Sequence, residues 1–159
     1  MVCSKAQPAQ ALVDSGDGAL LATAQEGKHA LIRLWDYANG SCLAILCAHA
    51  SSVTALDISG DGQALLGVGL DLHSKQQIVL WNIADVRTSR RAEVILKATT
   101  EYNVKRAKFS PFEPDKFMTV GRDSIRLYRI KNGALRGLSI QVCACCRCSF
   151  SAVHLMGGQ

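Results

Sequence analysis

The feature that most constrains this chain is a short apolar segment, ending in an aromatic residue, that occurs three times at nearly equal spacing. Its copies are Ile32-Arg33-Leu34-Trp35-Asp36, Ile78-Val79-Leu80-Trp81-Asn82 and Ile125-Arg126-Leu127-Tyr128-Arg129. From Trp35 to Trp81 and from Trp81 to Tyr128 the steps are 46 and 47 residues. Self-similarity with a fixed period of roughly 20 to 50 residues indicates a repeat architecture, in which each unit buries its apolar face against its neighbours.

The second repeat shows most clearly what each unit contains. Residues 53–58 largely alternate apolar and polar, which is the period of a half-buried strand. Ser59-Gly60-Asp61-Gly62 has the composition of a tight turn. Residues 64–69 are nearly all apolar, so we expect a strand buried on both faces, and residues 77–83 predict a third strand that carries Trp81.

The other repeats follow the same plan, with a fourth strand after each unit. Strands are predicted at residues 11–13 (a clipped remnant), 20–24, 30–37, 104–109, 116–120 and 125–130, with fourth strands at 41–47, 93–98 and 134–140. In residues 104–109, simple alternation places Val104 on one face with Arg106 and Lys108, opposite Ala107 and Phe109. No segment has a sustained helical period.

The predicted fold class is therefore all-β, an incomplete β-propeller arc of about three four-stranded blades, too few to close a ring. The predicted divisions are an N-terminal extension over residues 1–10, blades over 11–47, 48–98 and 99–140, and a cysteine-rich tail over 141–159. The blade pattern stops at Ile140, which favours a tail that does not continue the repeat and suggests an alternative C-terminus or a truncated product.

These units resemble WD repeats. Trp35-Asp36 is the unaltered signature dipeptide, and Trp81-Asn82 and Tyr128-Arg129 are degenerate forms of it. His49 stands where the family has a Gly-His pair, and Asp123 stands at the tight-turn position of a structural aspartate. The resemblance implies a buried hydrogen-bond network of histidine, aspartate and aromatic, although no repeat here carries all three. The structural signature residues that it implies are Trp35, Asp36, His49, Trp81, Asp123 and Tyr128.

Two repeats depart from that pattern near the histidine and the aspartate. The third repeat offers only Thr100 or Glu101 near the histidine position, and in the second repeat Asp71 is displaced by a long loop over residues 72–77. That loop and the stretch Gly121-Arg122-Asp123-Ser124-Ile125-Arg126-Leu127-Tyr128 resemble one branch of the family. The branch contains centriolar and ciliary proteins of the WD repeat-containing protein 90 type and the echinoderm-microtubule-associated-protein-like proteins. This resemblance implies a microtubule-associated scaffold of the cytoskeleton at the centriole or the base of the cilium.

The positive charge is concentrated in one stretch of the chain. Between positions 87 and 108 seven basic residues face only Glu93 and Glu101, an excess that equals the net charge of +5. Such a stretch attracts an acidic partner, and a solvated loop and strand face is the alternative. We expect partners to be other proteins, with tubulin or microtubules implied by the resemblance and nucleic acid disfavoured. The candidate surface for acidic tubulin tails comprises Arg87, Arg90, Arg91, Lys105, Arg106 and Lys108.

No residue pattern in the sequence indicates catalysis, a cofactor or a metal. His49 has Ser51, Ser52 and Asp57 nearby in sequence, but nothing places a nucleophile within reach of it, so a buried structural histidine is favoured. His29 and His73 lie in corresponding loops without further ligands at motif spacing. The sequence therefore predicts a non-enzymatic interaction scaffold. The alternative is a general adaptor, such as a ubiquitin-ligase substrate receptor or a subunit of an RNA-processing assembly.

Cysteine usage and hydropathy give the expected location. The first twelve residues lack the form of a signal peptide, and no apolar run approaches the roughly 18 residues of a membrane span, which favours the cytoplasm, with the seven cysteines mostly reduced. Cys143, Cys145, Cys146 and Cys148 cluster in the tail. Zinc binding with His154 and lipidation remain open for that cluster beside the alternative C-terminus.

Overall fold

In the computed structural model, residues 9–15, 18–25, 30–122 and 124–141 are described. Within these ranges the chain forms three consecutive four-stranded antiparallel sheets, each with its strands in chain order. Blade 1 contains β1 (Ala9–Asp14), β2 (Leu20–Gln25), β3 (Leu31–Asp36) and β4 (Cys42–Cys47). Blade 2 contains β5 (Val53–Ile58), β6 (Ala64–Leu70), β7 (Gln76–Asn82) and β8 (Glu93–Thr100). Blade 3 contains β9 (Val104–Phe109), β10 (Lys116–Gly121), β11 (Ser124–Lys131) and β12 (Ala134–Gln141).

The all-β class and the three four-stranded units are confirmed, with one local exception. A single helical turn, α1 (Val86–Ser89), lies between β7 and β8, and it ends at Arg90 in the left-handed conformation with φ 56°. Four residues are too few to show a helical period, so α1 could not be predicted from the residue pattern. β1 begins at Ala9, two residues inside the stretch that was predicted as an N-terminal extension.

A β-bulge near the start of the first strand recurs in every blade. The register shifts between Ala9 and Ala11 in β1, between Val53 and Ala55 in β5, and between the β10 residues Val120 and Gly121 opposite the start of β9. A bulge inserts one residue and reverses the alternation beyond it. The prediction that Val104 shares a face with Arg106 and Lys108 is therefore wrong, because Val104 is buried while both basic residues are exposed.

A serine at the end of each first strand closes the following turn. The backbone N–H groups of Ser15, Ser59 and Ser110 donate to the carbonyl oxygens of Leu20, Ala64 and Lys116, each at 2.9 Å. The hydroxyl oxygens of Ser15 and Ser59 also accept from the N–H groups of Leu20 and Ala64, both at 2.8 Å. In the second turn Gly62 has φ +68°, which requires a residue without a Cβ penalty in that region.

The middle blade is covered on both faces. Leu65, Leu66, Val68, Ile78 and Leu80 are all 0% exposed, as predicted for a strand buried on both sides. One apolar cluster joins blade 1 to blade 2, and a second joins blade 2 to blade 3. Since full burial of a Leu, Val or Ile side chain stabilises by roughly 1.5–3 kcal/mol, these two inter-blade layers are the main source of stability.

Polar side chains fix how blade 3 sits against blade 2. The buried amide of Gln76 donates from Nε2 to the carbonyl oxygen of Val104 at 3.0 Å and accepts from the Val104 N–H at 2.5 Å. Asp57 on β5 accepts from Lys108 Nζ at 2.8 Å and from the Phe109 N–H at 2.7 Å. Both contacts join the second blade to β9, so β9 is held at its start and at its end.

Candidate functional site

The three aromatic residues of the repeat occupy the same position in their blades. Trp35, Trp81 and Tyr128 lie on the third strand and pair across the sheet with Leu21, Leu65 and Phe117. Trp81 is 2% exposed, whereas Trp35 and Tyr128 are half-buried. These pairs fix which residues correspond from one blade to the next.

Two residues beyond each of those partners, the second strand carries Thr23, Gly67 or Thr119, depending on the blade. In blade 1 the indole Nε1 of Trp35 donates to Thr23 Oγ1 at 3.0 Å. In blade 2 a Cβ built at Gly67 would lie 2.8 Å from Cζ3 of Trp81, so the indole ring fills the space that a side chain would need. The repeated position is therefore polar in the outer blades and empty in the middle one.

His49 lies above this empty position in blade 2. It is 4% exposed, and its ring meets Trp81 edge-on at 6.0 Å between centroids and 78° between planes. Within the described part of the chain neither ring nitrogen has a hydrogen-bond partner. Burial, and secondarily the positive charge of Lys97, lowers the pKa of His49 from 6.5 to about 4. His49 is thus a neutral side chain packed against an indole, with no neighbouring group to activate it as a base.

Asp71 does not reach His49. Its Oδ1 accepts from the backbone N–H groups of His73 at 2.8 Å and of Lys75 at 2.9 Å. The carboxylate therefore closes its own loop, and these bonds lower the pKa of Asp71. Asp36 acts similarly at the turn after β3, where its Oδ1 accepts from the Ala38 N–H at 3.0 Å.

Blade 3 places Tyr102 where blade 2 has its histidine. A Cβ built at Gly121 would lie 2.9 Å from the Tyr102 ring, just as one built at the corresponding Gly69 would lie 2.6 Å from His49. The Tyr102 hydroxyl forms a hydrogen bond with the Thr119 hydroxyl. The guanidinium carbon of Arg126 lies 4.0 Å from the centre of the Tyr102 ring, an arrangement typical of a cation–π contact. Burial raises the pKa of Tyr102.

Thr100 and Glu101, which the sequence offered near the histidine position, do not pack there. The Thr100 hydroxyl donates to the Tyr102 carbonyl oxygen at 3.1 Å, and Glu101 is exposed. The sequence did not point to Tyr102 because the spacing differs between the blades: His49 lies four residues before β5, whereas Tyr102 lies two residues before β9. The aromatic character of Tyr102, one residue after Glu101, was the signal that could have found it.

The six basic residues proposed as a binding surface fall into two groups on separate elements. Arg87, Arg90 and Arg91 belong to α1 and the connection to β8, whereas Lys105, Arg106 and Lys108 lie on β9. The guanidinium groups of Arg87 and Arg90 donate to the backbone carbonyl oxygens of Ala19 and Cys42, both at 2.9 Å, and so join blade 2 to blade 1.

On β9, Lys108 forms an ion pair with Asp57 at 2.8 Å, although 53% of the lysine side chain remains exposed. Burial raises the pKa of Asp57, and the hydrogen bond from Lys108 opposes that shift. Lys105 and Arg106 are exposed, and no ion pair of the described residues involves either side chain. These two are the cations most available to a partner.

Several predicted sites lie outside the described residues, namely Asp123, His29, His154 and the cysteine cluster over 143–148. Among the residues that are described, no group of three or more His, Cys, Asp or Glu side chains has a geometry suited to a metal ion. No helix in the same ranges is long and apolar enough to cross a membrane.

The fold defines the class of protein. Of solved structures, the β-propeller domain of Cps50 (Swd1) from Myceliophteria thermophila matches 86% of this chain and 40% of its own, with a TM-score of 0.68 and 16% identity. The three blades therefore form an incomplete propeller, and at this identity the likeness shows the fold alone. No protein-family model matches the chain.

Sequence relatives then narrow the class. The chain is 52% identical over 134 residues to Centriole proteome protein 16 of Chlamydomonas reinhardtii, and 36% identical over 132 residues to WD repeat-containing protein 90 of Xenopus tropicalis. Each match covers 83% of this chain, but only 6% and 7% of these relatives. Over most of its length the chain is similar to WD-repeat proteins, and it corresponds to a short stretch of these much longer relatives.

Proposed function

We propose that this chain is a non-enzymatic protein-interaction scaffold that associates with microtubules at the centriole or the base of the cilium. The observation that carries the proposal is the 52% identity to a protein named for the centriole proteome. A propeller arc with no convergent acid, base and nucleophile among its described residues suits binding better than chemistry. The corresponding location is the cytoplasm, on the centriolar or ciliary cytoskeleton.

The proposed contact is electrostatic and centred on β9. Lys105, Arg106 and Lys108 lie on one strand within four residues, and all three are exposed. The first strand of each propeller blade borders the central channel, so in an open arc this strand is accessible from the side on which blades are lacking. A row of cations in such a concave place attracts an acidic peptide such as a tubulin tail.

The signature residues have a different proposed role. Trp35, Asp36, Trp81 and Tyr128 hold blades and turns together, and His49 fills the space beside Trp81. Because these contacts lie within or between blades, we propose that none of the five side chains touches the partner. Substituting them would alter the stability of the chain more than its binding to microtubules.

The test is microtubule co-sedimentation with the double reversal Lys105→Glu and Arg106→Glu. The matched control is Lys131→Glu with Arg136→Glu, which makes the same charge change at exposed positions of β11 and β12. We expect the β9 reversal to weaken pelleting by about tenfold or more, because two attractive contacts become repulsive, and we expect the control to retain most of it. Wild-type pelleting should also fall steeply with added salt.

Arg87 and Arg90 are unsuitable for this test, since reversing them would also break their hydrogen bonds to blade 1. Microtubules whose acidic C-terminal tails have been removed by proteolysis provide the second arm. Pelleting that is equal for wild type, the β9 reversal and tail-free microtubules would refute the tubulin-tail contact. A general adaptor role would then be the better reading, to be pursued through the proteins that the chain captures.

A further inference from the structure

Both internal blade contacts use the same layer of side chains. Three positions in each blade point toward the next blade. Two are on the third strand, one and three residues before the repeated aromatic residue. The third is on the second strand, one residue after the residue that pairs with that aromatic. This side of a blade is called the forward face. In blade 1 it presents Ala22, Leu34 and Ile32, and in blade 2 it presents Leu66, Leu80 and Ile78. All six are 0% exposed, because the following blade covers them.

Blade 3 repeats this layer, and none of the described residues forms a further blade over it. The corresponding positions are Met118, Leu127 and Ile125, and β12 adds Leu138 opposite Leu127 and Ile140 opposite Ile125. Leu127 is 40% exposed, Leu138 64% and Ile140 44%. The face that is fully buried in the two preceding blades is therefore open in the third. A contiguous exposed apolar patch of this kind marks an interaction site.

Blade 1 carries the other half of the same contact. The rear face, which packs on the preceding blade, uses Leu65, Trp81 and Ile83 in blade 2, exposed by 0%, 2% and 1%. The corresponding residues of blade 1 are Leu21, Trp35 and Tyr37. Leu21 and Trp35 are half-buried, and Tyr37 is 69% exposed. The rear face of blade 1 and the forward face of blade 3 thus match the two sides of the internal interfaces.

We propose that the forward face of blade 3 docks the rear face of blade 1 of a second copy of this chain, head to tail, in the geometry of the internal blade contacts. The inference rests on the fold and is independent of microtubule binding. The proposed interface continues one that the chain already forms twice. Two copies would bring six blades together, within the range of about four to eight that closed propellers contain. Where the curvature does not close, the same contact builds an open chain of copies.

The charged residues on the first strands favour a second copy of the chain as the partner of this face. Inside the chain, Asp57 of blade 2 reaches across to the N–H of Phe109 in blade 3 at 2.7 Å. By register, Lys108 is the counterpart of Asp57 in blade 3, and Asp14 is the counterpart of Phe109 in blade 1. Docking therefore places the position of Lys108, whose ammonium group pairs with Asp57 within the chain, beside the position of the exposed Asp14 of the second copy, so a basic position faces an acidic one.

The test is the mass of the purified full chain by sedimentation velocity, from about 1 to about 300 µM, a range that brackets micromolar dissociation constants. We expect reversible association that Leu127→Asp or Tyr37→Asp each weakens by about tenfold or more, because each buries a charge in an apolar contact. Phe112→Asp is the matched control, since Phe112 is 62% exposed in the turn after β9 and lies off both faces. It should associate as the wild type does.

Mixing the two defective variants separates head-to-tail docking from other modes. Leu127→Asp retains an intact rear face and Tyr37→Asp an intact forward face, so a 1:1 mixture should form a dimer although neither variant does so alone. This recovery also shows that both variants are folded. A wild-type chain that stays monomeric throughout, or association that survives both substitutions through open strand edges, would overturn the proposal. Loss of association in Phe112→Asp, or no recovery on mixing, would do so as well.

Discussion

Acid should destabilise this chain through His49, and the size of the effect follows from its burial. The pKa of His49 is 6.5 in a solvated chain and about 4 in the folded one, chiefly because burial disfavours the charged imidazolium. The unfolded state therefore binds a proton at a pH at which the folded state does not. The stability that His49 contributes is fully present above pH 6.5 and is lost as the pH falls from 6.5 towards 4.

Proton linkage with these two pKa values gives a loss of about 2 kcal/mol in the free energy of unfolding between pH 7 and pH 5. The pKa values of Asp71 and Asp115 are lowered from 3.8, so these two groups titrate below that window. Burial raises the pKa of Asp57, which acts in the opposite sense and is shared by the wild type and the variants compared. The measurement is urea unfolding at pH 7 and pH 5, followed by tryptophan fluorescence at a protein concentration low enough to prevent association.

His49→Phe keeps an aromatic edge against Trp81 and removes the titrating group, so its loss between pH 7 and pH 5 should be about 2 kcal/mol smaller than that of the wild type. His73→Gln is the matched control, because His73 is an exposed loop histidine, and it should follow the wild-type profile. Equal losses in the wild type and in His49→Phe would refute the reasoning. They would mean that His49 is solvated, or that it has a partner when charged.

Two further predictions concern positions where the packing leaves no room. Gly67→Ala should lower the free energy of unfolding by about 1–3 kcal/mol, since its Cβ would lie 2.8 Å from the Trp81 ring, whereas Gly60→Ala, with nothing within 4 Å, should change it by less than about 0.5 kcal/mol. Denaturant unfolding measures both, and equal effects would contradict the overpacking account. Asp57→Ala should cost about 1–3 kcal/mol by leaving the Phe109 N–H unsatisfied between blades. The exposed Asp85, whose side chain caps nothing, should tolerate alanine, and a loss as large there as at Asp57 would count against the inter-blade role.

The sequence predicted the architecture because the period and the strand alternation are properties of the whole repeat. Residues 53–58 and 104–109 were predicted as strands with the bounds that the structure gives. The bulge at the start of β9 could not be predicted in this way, since one inserted residue leaves the composition unchanged and yet moves Val104 to the buried side. The helical turn α1 was not predicted for a related reason, because a segment of four residues is too short to show helical periodicity.

The candidate site was less predictable because it depends on contacts between distant segments. The stretch from 87 to 108 reads as one basic run, but the strand β8 separates its two halves. Arg87, Arg90 and Lys108 hold blades together, which no count of charges could reveal. Arg91, Lys105 and Arg106 remain for a partner, and since only the last two lie together on β9, the tubulin proposal now depends chiefly on two side chains and not on six.

The weakening of the signature from Trp-Asp to Trp-Asn to Tyr-Arg does not mark a weakening fold, because each blade fills the same position with different chemistry. Blade 1 joins Trp35 to Thr23 by a hydrogen bond, and blade 3 joins Tyr102 to Thr119 beneath Arg126. Blade 2 replaces the hydroxyl by Gly67 and packs His49 directly against Trp81. The middle blade can omit the hydrogen bond since its neighbours already bury both of its faces, whereas the outer blades each expose one. A polar contact at this position therefore occurs in the two blades that expose a face among the described residues, and a purely apolar contact in the blade that is covered on both sides.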